Sequence, residues 1–71
     1  MAKVIKAHIT GTVWKIEVKP GDKVEEGTVV VILESMKMEM PVEAEEAGTV
    51  EEILVTEGAS VTEGAPLVKL A

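Results

Sequence analysis

The hexapeptide Gly11-Thr12-Val13-Trp14-Lys15-Ile16 decides the fold, because a related hexapeptide, Gly48-Thr49-Val50-Glu51-Glu52-Ile53, follows it at an offset of 37 residues. At this same offset, the window 11–33 contains eleven identities in 23 residues. Self-similarity at a fixed offset is the signature of a repeated structural unit. The chain therefore consists of two copies of one unit, about residues 8–34 and 45–71.

Each copy has the pattern of short strands separated by turns. In the first copy we expect a strand over 12–18 with Thr12, Trp14, Ile16 and Val18 on one face, and a last strand over 28–33. Between them we expect a short strand around Val24, with its equivalent around Val61 in the second copy. The glycines at matching turn positions are predicted to have positive φ; they are Gly21, Gly27, Gly58 and Gly64. Neither copy could bury its apolar face alone, so we predict an all-β sandwich or flattened barrel whose halves are related by a pseudo-two-fold axis.

Composition narrows the functional classes. The 71 residues predict one domain, 1–71, and the absence of cysteine excludes disulfides and thiolate metal sites. Seven scattered lysines against 13 acidic residues give a net charge of −6, which opposes nucleic-acid binding. No apolar run is long enough for a membrane helix, and the start of the chain lacks a secretory signal, so we expect a cytoplasmic protein without a membrane partner.

The sequence contains no set of residues that suggests catalysis, so we do not expect an enzyme. The single histidine, His8, has no metal-ligand spacing and no nucleophile beside it, and we interpret it as a surface or strand residue. The glutamate pairs are interpreted as solvated faces, not as paired catalytic acids. They are residues 25–26, 45–46 and 51–52.

The segment 35–44, Ser-Met-Lys-Met-Glu-Met-Pro-Val-Glu-Ala, lies between the copies and is not explained by the repeat. Its apolar residues alternate with polar ones, and Pro41 opposes a helix, so the segment is predicted to be extended and at a sheet edge. We expect a hairpin with Lys37 at or near its tip. A tip residue with positive φ would be strained, and such strain tends to occur at functional sites.

Apolar neighbours alone do not single out Lys37. Lys15 lies between Trp14 and Ile16, and Lys69 also has apolar neighbours, yet both are predicted to be outward residues of ordinary strands. Lys37 differs because it lies at the midpoint of the chain and between two methionines. Exposed, polarizable methionine at a tip is suited to recognition by another protein.

Glu34-Ser35-Met36-Lys37-Met38-Glu39 resembles the biotinylation motif of the biotin/lipoyl attachment domain family, with Ser35 in place of the usual alanine. The resemblance covers nearly the whole chain and is closest to small single-domain bacterial biotin/lipoyl attachment proteins and biotin carboxyl carrier subunits. It implies two four-stranded antiparallel sheets, with Lys37 on an exposed turn and the chain termini at the opposite end. The chain lacks the protruding insertion found in some acetyl-CoA carboxylase carriers.

The resemblance implies that biotin is joined to the Lys37 amine by a biotin protein ligase. The biotin would then shuttle carboxyl groups between a biotin carboxylase and a carboxyltransferase, as in an acyl-CoA carboxylase. Glu34 and Glu39 would serve recognition by the ligase and exclusion of lipoyl ligases, or only the solubility of a strand end. Met36 and Met38 are expected to serve recognition and the efficiency of transfer.

Two other interpretations remain open at this point. Lys37 could carry lipoate in a lipoyl domain, or the fold could be an unmodified structural or interaction module. The sequence does not identify the carboxylase or the carboxyl acceptor.

Overall fold

The computed structural model describes residues 3–71, so residues 1 and 2 of the expected domain lie outside it. This part of the chain forms eight β-strands. Their bounds are β1 Lys3–Lys6, β2 Gly11–Ile16, β3 Lys23–Val24, β4 Val29–Ser35, β5 Met38–Glu43, β6 Gly48–Ile53, β7 Ser60–Val61 and β8 Pro66–Leu70. The described residues contain no helix long and apolar enough to cross a membrane.

The strands form two four-stranded antiparallel sheets that pack face to face. One sheet has the order β1-β8-β6-β3 and the other has the order β5-β4-β2-β7. This arrangement confirms the predicted all-β sandwich. Pro41 lies in β5, at the edge of its sheet, where the missing N–H of proline does not interrupt a ladder between two neighbours.

Strand pairing repeats at the offset of 37 residues that the sequence displays. Val13 pairs with Leu33 in the first copy, and Val50 pairs with Leu70 in the second. The equivalence extends further than the sequence indicated, because β1 pairs with β8 in the register in which β5 pairs with β4. The view that all of 35–44 falls outside the repeat is therefore wrong. Strand β5 is the counterpart of β1, whose low similarity in sequence conceals the relation.

The core lies between the sheets and reflects the same symmetry. All of the buried residues are aliphatic, and no polar side chain of the described part of the chain is buried. Six pairs of residues at the offset of 37 supply the core, together with Val42, whose partly buried counterpart is Ile5. The pairs are Ala7 and Ala44, Val13 and Val50, Val24 and Val61, Val30 and Leu67, Val31 and Val68, and Leu33 and Leu70.

The prediction that Trp14 shares a face with Ile16 and Val18 along a regular strand is wrong. A β-bulge interrupts the pairing of β2 with β4 between Val13 and Lys15. The bulge inserts one extra residue, and this reverses the alternation of faces along the strand. As a result Val13 is buried, whereas Trp14 is 46% exposed.

The glycines serve two different geometric needs. Gly21, Gly27, Gly58 and Gly64 have φ of 90–94°, as the turn positions predicted. Gly11 has another role, because a Cβ at this position would lie 2.6 Å from the carbonyl oxygen of Glu34 on the neighbouring strand. The corresponding Cβ at Gly48 would approach only the side chain of Leu70, at 3.3 Å from Cδ1. Only Gly11 therefore faces a rigid backbone atom.

We predict that Gly11→Ala lowers the free energy of unfolding by roughly 1–3 kcal/mol, because the new methyl group must displace the backbone of β4. Gly48→Ala is the matched control and is expected to cost less, since the end of the Leu70 side chain can move. Urea unfolding of both variants measures the difference. Equal losses would contradict the assignment of the close contact to Gly11.

Candidate functional site

The candidate site is the turn between β4 and β5. Ser35 and Met38 are the last paired residues of the two strands, so Met36 and Lys37 alone form the loop. Two-residue loops impose a tight hairpin whose geometry is fixed by the flanking ladder. Six residue pairs link β4 to β5, which anchors the turn firmly to the sandwich.

Both loop residues have positive φ, 52° at Met36 and 65° at Lys37. Positive φ at both central positions is the signature of a type I′ turn, which strongly favours Asn-Gly. A residue with a Cβ in this region costs about 1–2 kcal/mol. They are the only non-glycine residues with positive φ among residues 3–71. Strain is therefore concentrated at the lysine that the sequence singled out.

The turn presents its side chains to solvent. Lys37 is exposed, Met36 is 92% exposed, and Met38 is 58% exposed. Methionine side chains exposed to this degree contribute little to the core, so packing does not explain them. Flexible thioether side chains on both sides of an amine form an adaptable apolar surface.

Two glutamates form the second residue pair from the turn. Glu34 of β4 is the cross-strand partner of Glu39 of β5, and both are exposed. Like charges directly opposite each other on a sheet are destabilising. Strand pairing alone would therefore favour other residues at these two positions. The pair places two negative charges near the turn that carries Lys37.

The amine of Lys37 is free of ion pairs, unlike three other lysines of the described chain. Lys15 pairs with Glu17 at 3.6 Å, Lys69 pairs with Glu51 at 3.5 Å, and Lys3 pairs with Glu46. Exposed pairs of this kind are weak, but they hold side chains against the sheet. Lys37 is thus a projecting cation with no partner in the described structure.

The turn lies at one end of the sandwich, and Lys3 and Ala71 lie at the other. From Met38, β5 carries the chain away from the turn by six residues, a distance of about 20 Å at the usual rise per residue. Strand β6 begins at this far end, where the carbonyl oxygen of Thr49 accepts a hydrogen bond from the N–H of Ala71 at 2.9 Å. Lys3 pairs with Leu70 at this same end. The turn therefore joins β4 to β5 at the end of the sandwich that is far from Lys3 and Ala71.

His8 is exposed, as expected for a surface residue. No group of three or more histidine, aspartate or glutamate side chains in residues 3–71 is arranged to hold a metal ion. The reactive group that the turn itself presents is the primary amine of Lys37, which can be acylated.

The fold and the site define a small β-sandwich that presents one lysine on a strained turn. The family model described as "Biotin-requiring enzyme", for biotin/lipoyl domains, matches residues 1–70. The biotin/lipoyl attachment protein of Bacillus subtilis is 45% identical over 67 residues, which cover 94% of this chain and 92% of that protein. A Mycobacterium leprae homolog of the biotinylated protein TB7.3 is 42% identical over 64 residues, which cover 90% of each chain.

A solved structure extends the comparison to a large enzyme. The urea carboxylase of Kluyveromyces lactis matches all of this chain at a TM-score of 0.93 and 37% identity, although the match covers only 6% of that enzyme. This chain belongs to the biotin/lipoyl attachment domain family. Homologous domains of the family are built into carboxylases.

Sequence reasoning did not find that both turn residues have positive φ or that Glu34 opposes Glu39. The turn lacks the usual glycine or asparagine, so its residue types did not predict positive φ at Met36 and Lys37. The cross-strand glutamates had a weak signal, because two-residue loops pair residues at fixed positions on either side.

We predict that Met36→Asn raises the free energy of unfolding by about 1 kcal/mol, since asparagine tolerates positive φ better than methionine does. Met38→Asn is the control, because Met38 is also exposed but lies in strand β5. Thermal or urea unfolding of both variants measures the effect. A Met36→Asn variant no more stable than Met38→Asn would show that the turn is not strained at this residue.

Proposed function

We propose that this protein is a biotin carrier in which biotin is attached covalently to Lys37. The observation that carries the proposal is that this one lysine, exposed and flanked by exposed methionines, occupies the strained turn of the fold. Its sequence context, Met-Lys-Met, is the biotin form of the family motif. The match to a homolog of a biotinylated protein supports the same choice.

Attachment requires a partner enzyme. A biotin protein ligase would bind the turn and activate the carboxyl group of biotin. The Lys37 amine, after losing a proton, then attacks the carboxyl carbon, an amide bond forms, and the activating group leaves. No side chain of the described turn is placed to accept the proton, so the ligase must supply the base.

The attached biotin would transfer carboxyl groups between two active sites. A biotin carboxylase would load the biotin, and a carboxyltransferase would pass the carboxyl group to an acceptor such as an acyl-CoA. The chain itself would contribute no catalytic group in this scheme. Tethering on a rigid domain replaces a bimolecular encounter by a high effective concentration at each site.

The residues around Lys37 have separate roles in the proposal. Met36 and Met38 would contact the partner enzymes through their flexible side chains. Glu34 and Glu39 would attract basic groups of the ligase and discourage enzymes that attach lipoate. Their direct opposition across the hairpin supports a recognition role over one in solubility, since solubility does not require like charges to face each other.

We predict that Lys37→Ala abolishes biotinylation, whereas Lys15→Ala and Lys69→Ala leave it intact. These two controls remove lysines that also lie between apolar residues, but within strands β2 and β8 and not in the turn. Intact mass after co-expression with a biotin protein ligase measures the adduct, and peptide mapping locates it. Biotinylation of the Lys37→Ala chain would contradict the assignment.

The same mass measurement distinguishes the alternatives. Lipoate and biotin add different masses, so co-expression with a lipoyl ligase as well as a biotin ligase identifies the preferred group. A wild-type chain that gains no mass with either ligase would favour an unmodified interaction module.

A further inference from the structure

The outer face of the β5-β4-β2-β7 sheet carries an apolar patch close to the turn. Lys15, Ile32 and Pro41 lie in one row across β2, β4 and β5. Trp14, the only aromatic residue of the chain, is beside this row at the bulge and is 46% exposed. We define Trp14, Ile32 and Pro41 as the outer-face patch.

The pseudo-two-fold symmetry provides an internal comparison for this patch. The other sheet has a bulge at the equivalent place, between Val50 and Glu52, so Glu51 is the counterpart of Trp14. Lys69 is the counterpart of Ile32, in the same register against its neighbouring strands. On that sheet the two positions are charged and form an ion pair at 3.5 Å.

The comparison separates what folding requires from what it does not. Glutamate and lysine are accepted at these two backbone positions in one half, with the same bulge and the same register. A tryptophan at the equivalent position therefore serves neither the bulge nor the core. Exposed aromatic residues beside an aliphatic neighbour are typical of protein–protein contact sites.

The patch is close enough to Lys37 for one partner to cover both. Ile32 is three residues from the end of β4, about 10 Å along the strand from the turn. A standard interface covers about 800 Å² on each partner, which corresponds to a disc of about 16 Å radius. Glu34 and Glu39 lie on this same outer face, between the patch and the turn. An enzyme that places Lys37 in its active site and contacts these two glutamates therefore covers the outer-face patch as well.

We propose that the outer-face patch is a second contact surface for the ligase that acylates Lys37. This proposal rests on the proposed function of Lys37. The row Thr12, Glu34 and Glu39 lies between the patch and the turn. The ligase surface that fits has an apolar pocket for Trp14, with lysine or arginine side chains between that pocket and its active site to meet the two glutamates. Tryptophan in such a pocket is the residue type that most often dominates binding.

The test compares two substitutions that add the same charge. Trp14→Glu introduces the residue that the other half carries at this position, and it is expected to lower kcat/KM for biotinylation by about tenfold or more. Val4→Glu is the control, because Val4 is 42% exposed but lies on the other sheet, in the row of Lys69. The Val4→Glu variant should be biotinylated with the same kcat/KM as the wild-type chain. Ile32→Thr, a second patch variant that keeps a β-branched side chain, should reduce kcat/KM less than Trp14→Glu does.

Each result bears on the proposal. Thermal unfolding shows whether each variant is as stable as the wild-type chain. If Trp14→Glu is destabilised, kcat/KM for biotinylation of Ile32→Thr decides whether the patch is a contact surface. Full biotinylation of Trp14→Glu at long times, at a reduced rate, supports the patch and leaves the function of Lys37 intact. Equal rates for Trp14→Glu, Val4→Glu and wild type overturn the patch alone. A wild-type chain that gains no biotin overturns both proposals.

Other occupants of the patch give distinct results. Self-association of the wild-type chain that Trp14→Glu removes, with unchanged biotinylation, would assign the patch to a second copy and overturn the proposal. Normal biotinylation of Trp14→Glu with slower carboxylation of its biotin would assign the patch to the carboxylase, and it also overturns contact with the ligase.

Discussion

The structure depends on the packing of the two sheets against each other, to which the inner strands β4 and β8 contribute most of the completely buried residues. Val31, Leu33, Leu67 and Val68 are completely buried there, although the chain has only 71 residues and no disulfide. A domain of this size has little core to lose, so both halves must contribute their full apolar face. The ladder from β4 to β5 also fixes the hairpin turn. Six pairs of residues hold the two strands together on either side of Met36 and Lys37. Unfavourable φ values at Met36 and Lys37 persist because relaxing them would break this pairing.

Duplication provides a physical test of which residues the fold needs. Whatever the fold requires occurs twice, as the paired core residues and the four positive-φ glycines do. An exposed residue type that only one of two equivalent positions carries is not required by the fold. The strained turn, the glutamates behind it and the exposed Trp14 occur once, and all three lie toward one end of one sheet. Their common location is stronger evidence than any of them alone, since independent structural accidents would have no reason to collect there.

The repeat made most of the architecture predictable. Apolar alternation and matched glycines predicted the all-β sandwich, the short strands near Val24 and Val61, and the edge position of Pro41. Three features were not predictable, because they depend on contacts between distant segments. Strand β1 has few residues in common with β5, so its equivalence appears only in the pairing. The bulge that turns Trp14 outward has no residue signature, and the close approach of Gly11 to Glu34 is a contact between strands. At the site, Lys37 was predictable from its position and motif, whereas the backbone strain was not.

A rigid support combined with an adaptable tip suits a carrier that several enzymes must recognise in succession. Each enzyme must bind the turn well enough to position it, and each must release it again, so a highly complementary contact with one enzyme would impede the next. Flexible methionine side chains can adapt to several surfaces with moderate affinity at each. In the proposed function, charge on Glu34 and Glu39 would raise the rate of encounter more than the lifetime of the complex. The backbone beneath contributes the opposite property, because a turn that cannot move loses no conformational entropy when it is bound. In the proposed carrier, Met36 and Lys37 would therefore combine adaptable side chains with a fixed backbone.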